Sequence, residues 1–504
     1  MKINKKIILS IAAGILFMNS CTERDLTVDP KGSYLSSNYY KNEAEAYTGV
    51  VASYQMIKKN SGGFENMITF FNAASDDQFA GGGASNDGPG IQSFSNYSID
   101  PLTIPGSYWS DFFRGIYRAN VLLSKLPGVP MDANLKNRFG AEGKALRAYY
   151  YFELVRMFKN VPLFKEPISP DEIYNVTQAK PEEVYAQIEA DLTDAIKYLP
   201  TTISASESGR FSQGAAKALL GKVYLYEGKK AQAATILAEV NGTPGGTSQY
   251  GYKLLNNFSD LWVVSNKFNS ESILEVAHTN KANAGWGNWG DGDGNSICVM
   301  TGPRDYVRAN SSAPDLASGW SFNVFTEEFY NFMKNDPRYN STVFNIKPFE
   351  EYLQSLPEPK HAYTKGYKDT GYFLKKYLPT KADVTTGGGD AVLNYQQDSY
   401  IIRLADTYLL EAEALGASGA RAQALLDAVR FRAGLPSVAV SMQAIKDERR
   451  RELAGEGQRW FDLVRWGDAP AVLGSRGFKA GKNEILPIPV SEIKNTKIVQ
   501  NPGY

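Results

Sequence analysis

The 504-residue chain has few of the side chains that most often carry out chemistry, because it holds two cysteines and two histidines. His278 and His361 lack the spacing of metal ligands. No GxSxG, phosphate-binding loop or dinucleotide fingerprint occurs in the sequence. We therefore expect no metal and no cofactor. Cys298 is the only cysteine besides Cys21, and we expect it to be a buried, inert thiol.

The chain also lacks an excess of either charge, since Lys+Arg and Asp+Glu both total 54. This balance argues against nucleic acid as a partner, because a nucleic-acid binder carries a basic excess. After Cys21 no apolar run approaches the roughly 20 residues that span a bilayer. Aromatic residues and glycine are plentiful, with 30 Tyr, 25 Phe, 7 Trp and 45 Gly. Such a composition favours the binding of an uncharged, flat-faced ligand over proton transfer.

The N-terminus has the pattern of an export signal. A basic head is followed by an apolar run that ends at Met18. Two small polar residues separate Met18 from Cys21. The run is about a dozen residues, too short for a membrane-spanning helix. A cysteine directly after a small residue at the cut site is typical of a bacterial lipobox, although Met18 stands where leucine is usual. We predict a signal peptide over 1–20, a lipid on Cys21 and a polar tether over 21–38. The alternative is a plain signal peptide with an incidental cysteine.

Helical periodicity predicts a mainly α fold for the rest of the chain. The segment 212–240 is the most specific, because Gly221, Tyr224 and Ala233 match the spacing of a tetratricopeptide repeat. Small residues let the two antiparallel helices approach each other, and Tyr224 fills the groove between them. We predict similar helix pairs at 400–434 and 442–467.

Between about 241 and 397 the sequence changes character and becomes rich in Gly, Asn, Asp, Ser and Trp. A long insert of this kind is usually functional, and its aromatic content argues against disorder. We predict a single domain over 39–504, with a helical scaffold at 39–240 and 398–504 and a loop-rich binding insert between them.

Several segments together carry a family resemblance. They lie at 144–154 with Val161-Pro162-Leu163, at 403–414, at 448–467, and at the end of the chain in 486–489 and 500–504. On these residues the chain resembles the SusD/RagB family of outer-membrane lipoproteins of Bacteroidetes, over essentially the whole mature length.

The resemblance implies a SusD-like α-helical fold with embedded tetratricopeptide-like pairs and no catalysis. It also implies a lipid-anchored, surface-exposed protein of the outer membrane. Family members lie over a SusC-like TonB-dependent transporter and pass captured oligosaccharide into its barrel. The expected partners are therefore that transporter, a neutral oligo- or polysaccharide, and the membrane through the N-terminal lipid.

Tryptophans in the insert are the first candidates for glycan contact. Trp286, Asn288 and Trp289 lie in a glycine-rich stretch, where small neighbours allow an indole ring to lie exposed. Sugars present C–H faces that stack on such rings and hydroxyls that bond to polar side chains. Trp320, which follows Ser318-Gly319, is a third candidate. The pattern favours a neutral glucan, with a β-glucan such as laminarin first and starch second.

Polar loop residues are weaker candidates. Asp76, Asp77 and Gln78 precede a glycine run, and in the resembled family loops from this region approach the glycan. Their alternative role is a helix cap or a turn. Arg304 and Tyr306, which follow Gly302-Pro303, are a similar case.

Two other functions stay open at this point. A glycoside hydrolase would need two carboxylates about 5–9.5 Å apart, for which Asp76/Asp77 or Asp291/Asp293 are the loop candidates. Asp291 and Asp293 also begin an EF-hand-like pattern, but the bidentate carboxylate of a calcium loop is missing. A protein-binding scaffold without sugar affinity is the third possibility. We expect the many charges at 448–467 to pair with one another within the fold.

Overall fold

Helices carry most of the fold in the computed structural model, which describes residues 39–504 without the side chains of Asn288 and Asp291. The predicted signal peptide, tether and Cys21 lie outside the described residues. The N-terminal helices are α1 (Glu43–Tyr54), α2 (Met67–Ala73), α3 (Pro89–Ser95), α4 (Ser107–Lys125), α5 (Ala133–Phe158), α6 (Pro181–Ile196), α7 (Gln213–Tyr226) and α8 (Lys230–Asn241).

The remaining helices follow in the insert and the C-terminal quarter. They are α9 (Ile297–Thr301), α10 (Glu327–Met333), α11 (Tyr339–Thr342), α12 (Lys347–Gln354), α13 (Leu404–Ala414), α14 (Gly419–Arg432), α15 (Met442–Glu452), α16 (Arg459–Trp466), α17 (Ala469–Leu473) and α18 (Val490–Ile493). The prediction of a mainly α protein is confirmed. No helix between residues 39 and 504 is both long and apolar enough to cross a membrane.

Successive helices pack side by side. Helix α4 contacts α5, α5 contacts α6, α6 contacts α7, and α7 contacts α8, which lies against α13. Local sequence sets the helix starts: Asp132 caps α5 by accepting from Leu135 N at 2.9 Å, and Pro181 occupies the first turn of α6. The scaffold is thus built from consecutive helical hairpins.

The α7–α8 hairpin confirms the tetratricopeptide-like prediction. A Cβ atom on Gly221 would lie 2.5 Å from Leu237 Cγ, which is closer than atoms can approach. Only glycine therefore allows the two helices this separation. Tyr224 packs against the same cluster, beside Ala233 and Leu237.

Two short antiparallel sheets complete the fold. Strand β1 (Ser272–Val276) pairs with β4 (Ser399–Arg403), and β2 (Val343–Asn345) pairs with β3 (Tyr372–Leu374). The prediction that the helix of the second pair begins at Tyr400 is wrong, because it begins at Leu404. Residues before it pair with β1, and Tyr400, Ile401 and Ile402 are types that favour strands.

Buried ion pairs join the insert to the C-terminal helices. Arg403 pairs with Glu271 at 3.0 Å and with Glu456 at 2.8 Å, and it also contacts Glu452. Arg338 of the insert donates to Glu452 at 2.8 Å. All five side chains are buried. The charges at 448–467 are thus structural, since an unpaired charge in this interior would cost several kcal/mol.

Candidate functional site

Three tryptophans from the insert form one cluster, here named the aromatic platform (Trp286, Trp289 and Trp320). The rings of Trp286 and Trp320 are nearly parallel, with centroids 6.0 Å apart and an interplanar angle of 21°. Trp289 lies edge-on to both, with centroids at 5.7 Å from Trp286 and 5.6 Å from Trp320. Trp286 is the outermost ring and is 58% exposed. The structure therefore brings together the three tryptophans that the sequence singled out.

The turn that carries two of these rings is fixed at both ends. Trp286–Asp291 form a short 3-10 helix. Before it, Ala284 exchanges two hydrogen bonds with the amide of Asn394, at 3.0 and 3.2 Å. After it, Asn295 N donates to Tyr395 O at 2.9 Å. These bonds hold the glycine-rich backbone in place, so the rings are positioned before any ligand arrives.

Trp289 connects the platform to the hydrophobic core. Its Nε1 donates to Ser296 Oγ at 2.8 Å. Its ring packs edge-on against Phe64, with centroids 5.9 Å apart, and Phe64 contacts Phe70 and Phe322 in turn. The partly buried Trp289 supports the exposed Trp286.

His278 stabilises the base of the same loop. Its Nδ1 donates to Asp293 O at 2.9 Å, because a carbonyl can only accept, and its Nε2 lies 2.6 Å from Ser61 Oγ. Burial lowers the pKa of His278 to about 4. The imidazole is therefore neutral at physiological pH, with a fixed tautomer that ties Asp293 to the scaffold.

A polar edge lies next to Trp320. One guanidinium nitrogen of Arg304 donates to Trp320 O at 3.1 Å and lies 3.2 Å from an oxygen of Asp87. That oxygen also accepts from Gly83 N at 2.7 Å. Both side chains are partly exposed. The platform thus combines apolar faces with a donor and an acceptor at one edge.

Asp87 was missed by sequence reasoning, although Arg304 was found. The glycine run before Asp87 was the sequence signal that could have pointed to it. In the structure, a Cβ atom on Gly83 would lie 3.0 Å from the Arg304 guanidinium. Glycine there makes room for the pair. Asn288 lies in the same turn as the rings, and its side chain is outside the described part of the structure.

The structure corrects the assignment of Asp76, Asp77 and Gln78 to the glycan site, because all three are buried. Arg459 makes a bidentate pair with Asp76 at 2.8 and 2.9 Å. Arg450 pairs with Asp77 at 2.6 Å. Burial alone would raise the pKa of Asp76, but the two arginines hold it below its usual value. These side chains hold the C-terminal helices against the N-terminal part.

Tyr306 is corrected in the same way. It is 8% exposed, and its hydroxyl donates to Pro314 O at 2.8 Å. Its ring packs against Phe344 in a second hydrophobic cluster. Arg304 therefore stays in the candidate site and Tyr306 leaves it.

The arrangement suits binding through stacking and hydrogen bonds. Among the residues described, no group of three or more His, Cys, Asp and Glu side chains is arranged to hold a metal ion. Among the side chains that the structure describes, Asp87 is a carboxylate at the edge of the platform, and it is engaged with Arg304 and Gly83. An α-helical body with an exposed aromatic platform and a donor–acceptor edge defines a class of proteins that can bind a ligand by stacking and hydrogen bonding.

Comparisons with known proteins narrow this class. A family model described as "SusD family" matches residues 270–484, and one described as "Starch-binding associating with outer membrane" matches residues 43–225. A solved structure named as a laminarin-binding SusD-like protein is 62% identical, with a TM-score of 0.90, over 92% of this chain and 100% of that one. The chain belongs to the SusD family.

More distant relatives match over nearly the whole chain. Surface glycan-binding protein A from Bacteroides thetaiotaomicron is 25% identical, with a TM-score of 0.83, over 92% of this chain and 100% of that one. A SusD-like protein of Formosa agariphila is 24% identical over 553 residues, which cover 99% of both chains.

Proposed function

We propose that this protein captures a neutral β-glucan of the laminarin type on the aromatic platform and does not cleave it. The observation that carries the proposal is the exposed ring of Trp286, supported from behind by Trp289 and Trp320. An aromatic face held on a fixed surface turn is a ready stacking surface for a flat-faced ligand. The 62%-identical structure bears the name of a laminarin-binding protein, which supports the choice of sugar.

The chemistry of the site matches a sugar chain. The C–H face of a pyranose ring covers an indole ring, and its hydroxyls act as both donors and acceptors. Arg304 can donate to such hydroxyls, and Asp87 can accept from them. A neutral polymer needs no uncompensated charge in its site, and these two side chains already neutralise each other.

The placement of one candidate carboxylate pair supports binding without cleavage. Hydrolysis of a glycosidic bond requires two carboxyl groups on either side of the bond, about 5–9.5 Å apart. Asp76 and Asp77, one of the two pairs that a hydrolase could use, are bound to Arg450 and Arg459 in the interior.

We further propose that a lipid on Cys21 anchors the protein in the outer membrane, exposed at the cell surface, where it delivers glycan to a SusC-like TonB-dependent transporter. The family model for proteins that associate with the outer membrane supports the location. A Cys21→Ser variant should move from the membrane to the soluble fraction. An unchanged membrane fraction would contradict lipid anchoring. Co-purification of the wild-type protein with a barrel partner tests the delivery step.

Native gels cast with laminarin, with amylopectin or without polysaccharide test the central proposal. We expect laminarin to retard the mature protein most strongly, with no reducing sugar released on long incubation. Migration that is the same in all gels would refute glycan capture. Release of reducing sugar, abolished by one carboxylate substitution, would favour the hydrolase instead.

A further inference from the structure

A polar pocket of about 390 Å³ lies beside the aromatic platform, and its wall includes Lys59, Phe64, Glu65, Ser107, Asp111 and Gly290. Its volume is within the range of about 300–1,000 Å³ that is usual for small-molecule sites. We name it the polar pocket.

The polar pocket and the platform share structural elements. Gly290 belongs to the 3-10 turn that carries Trp286 and Trp289. A rise of about 2 Å per residue places Trp286 and Gly290 only about 8 Å apart along that turn. Phe64 lines the pocket, and its ring packs against Trp289. One oligosaccharide can therefore reach both places.

The polar side chains of the pocket are fixed by one another. Lys59 is 7% exposed, and its Nζ donates to Ser107 Oγ at 2.6 Å and pairs with Asp111 at 3.2 Å. The Ser107 hydroxyl donates in turn to the Glu65 carboxylate. Burial lowers the pKa of Lys59, against the opposing effect of the two carboxylates.

This arrangement favours a hydroxyl-rich, neutral ligand over an ion. Lys59 lies 3.2 Å and the partly exposed Arg114 lies 3.5 Å from Asp111, and Lys58 also has a partner. The carboxylate oxygens can still accept further hydrogen bonds, and sugar hydroxyls can donate them.

We infer that the polar pocket is a second sugar subsite, in which one unit of the glycan bonds to Glu65 and Asp111 while other units cover the aromatic platform. This inference rests on the proposed function. It predicts that affinity depends on chain length, because only a sufficiently long oligosaccharide fills both places.

Gly290 offers a way to close the pocket without disturbing the fold. A Cβ atom at this position would meet no atom within 4 Å, and its φ is not in the left-handed region. A Gly290→Leu side chain should therefore fit without a clash and take up space at the pocket wall that Gly290 lines. Gly128 is a matched control, since it is equally open, has an ordinary φ and lies in the turn after α4.

Calorimetry with linear β-1,3-linked glucose oligosaccharides of two to six units tests the inference. The wild-type affinity should rise with length. Gly290→Leu and Asp111→Asn should each lower the affinity for the six-unit chain about tenfold, equivalent to about 1.4 kcal/mol. Gly128→Leu should change nothing, and Trp286→Ala should weaken the binding of every length.

Two results would overturn the inference, and they are distinguishable. If both pocket variants bind the six-unit chain like the wild type, the polar pocket is not a subsite, although the platform proposal stands. If the wild-type protein binds no member of the series and no neutral glucan, the proposed function fails, and the subsite fails with it.

Discussion

Replacing Trp286 with alanine should weaken laminarin binding about tenfold while leaving the fold intact. The exposed fraction of the ring is 58%, and a tryptophan offers about 150–250 Å², so a sugar can cover roughly 100 Å². At about 25 cal/mol per Å² this burial contributes about 2.5 kcal/mol at most. Stacking alone contributes about 0.5–1.5 kcal/mol. A loss of about 0.5 to about 2.5 kcal/mol corresponds to a weakening of about twofold to seventyfold.

The stability of this variant should change little, because an exposed side chain outside the core usually contributes within about 0.5 kcal/mol. Trp289 supports the platform from below and remains in place. Phe431 provides a matched control: its ring is also 58% exposed, but it lies on α14. Phe431→Ala should leave laminarin binding unchanged.

Native gels over a series of laminarin concentrations give the dissociation constants, and thermal unfolding reports the stability of the same samples. A folded Trp286→Ala variant that binds laminarin like the wild type would refute the reasoning. Equal weakening by Phe431→Ala would show that the effect is not specific to the platform.

Three further predictions concern stability and reactivity. Asp76→Asn should cost about 3–5 kcal/mol, because it leaves Arg459 unpaired, and should lower the unfolding midpoint without weakening laminarin binding; weaker binding at an unchanged midpoint would contradict this role. Burial, with the Asp398 carboxylate adding to it, raises the pKa of Glu275 from 4.5 to about 8, so the folded state holds a proton that the unfolded state releases. The free energy of unfolding should therefore fall as the pH rises from about 5 to about 8. Thermal unfolding at these two pH values should show a smaller loss of stability for Glu275→Gln than for the wild type; an equal loss would contradict the assignment. Burial also raises the pKa of the Cys298 thiol, and a thiol reagent should label it only on unfolding, whereas immediate labelling would disprove its inaccessibility.

Local patterns allowed the helical scaffold to be predicted from the sequence. The α7–α8 hairpin depends on contacts between residues close together in the chain, such as Gly221 and Leu237. The strand at Tyr400 was not predicted, since its partner β1 lies more than a hundred residues earlier. Periodicity within a segment carries no information about such a distant partner.

The same limit applies to the candidate site: local sequence signals predicted its residues, and distant partners could not be predicted. The glycine-rich neighbourhood of Trp286 and Trp289 is a local signal, and it led to the platform. The roles of Asp76 and Asp77 were wrong because their arginine partners lie more than 370 residues further along the chain. A loop carboxylate looks available in sequence whether or not a distant arginine neutralises it.

The buried ion pairs between the insert and the C-terminal helices determine when the insert can complete its folding. Arg338 and Lys376 leave the ribosome well before Glu448, Glu452 and Glu456, to which they are bound in the folded protein. Until those carboxylates are present, the two cations cannot enter the interior without a large desolvation penalty. The insert must therefore wait for nearly the entire polypeptide, and a version truncated before residue 448 should lack the folded arrangement that holds the aromatic platform.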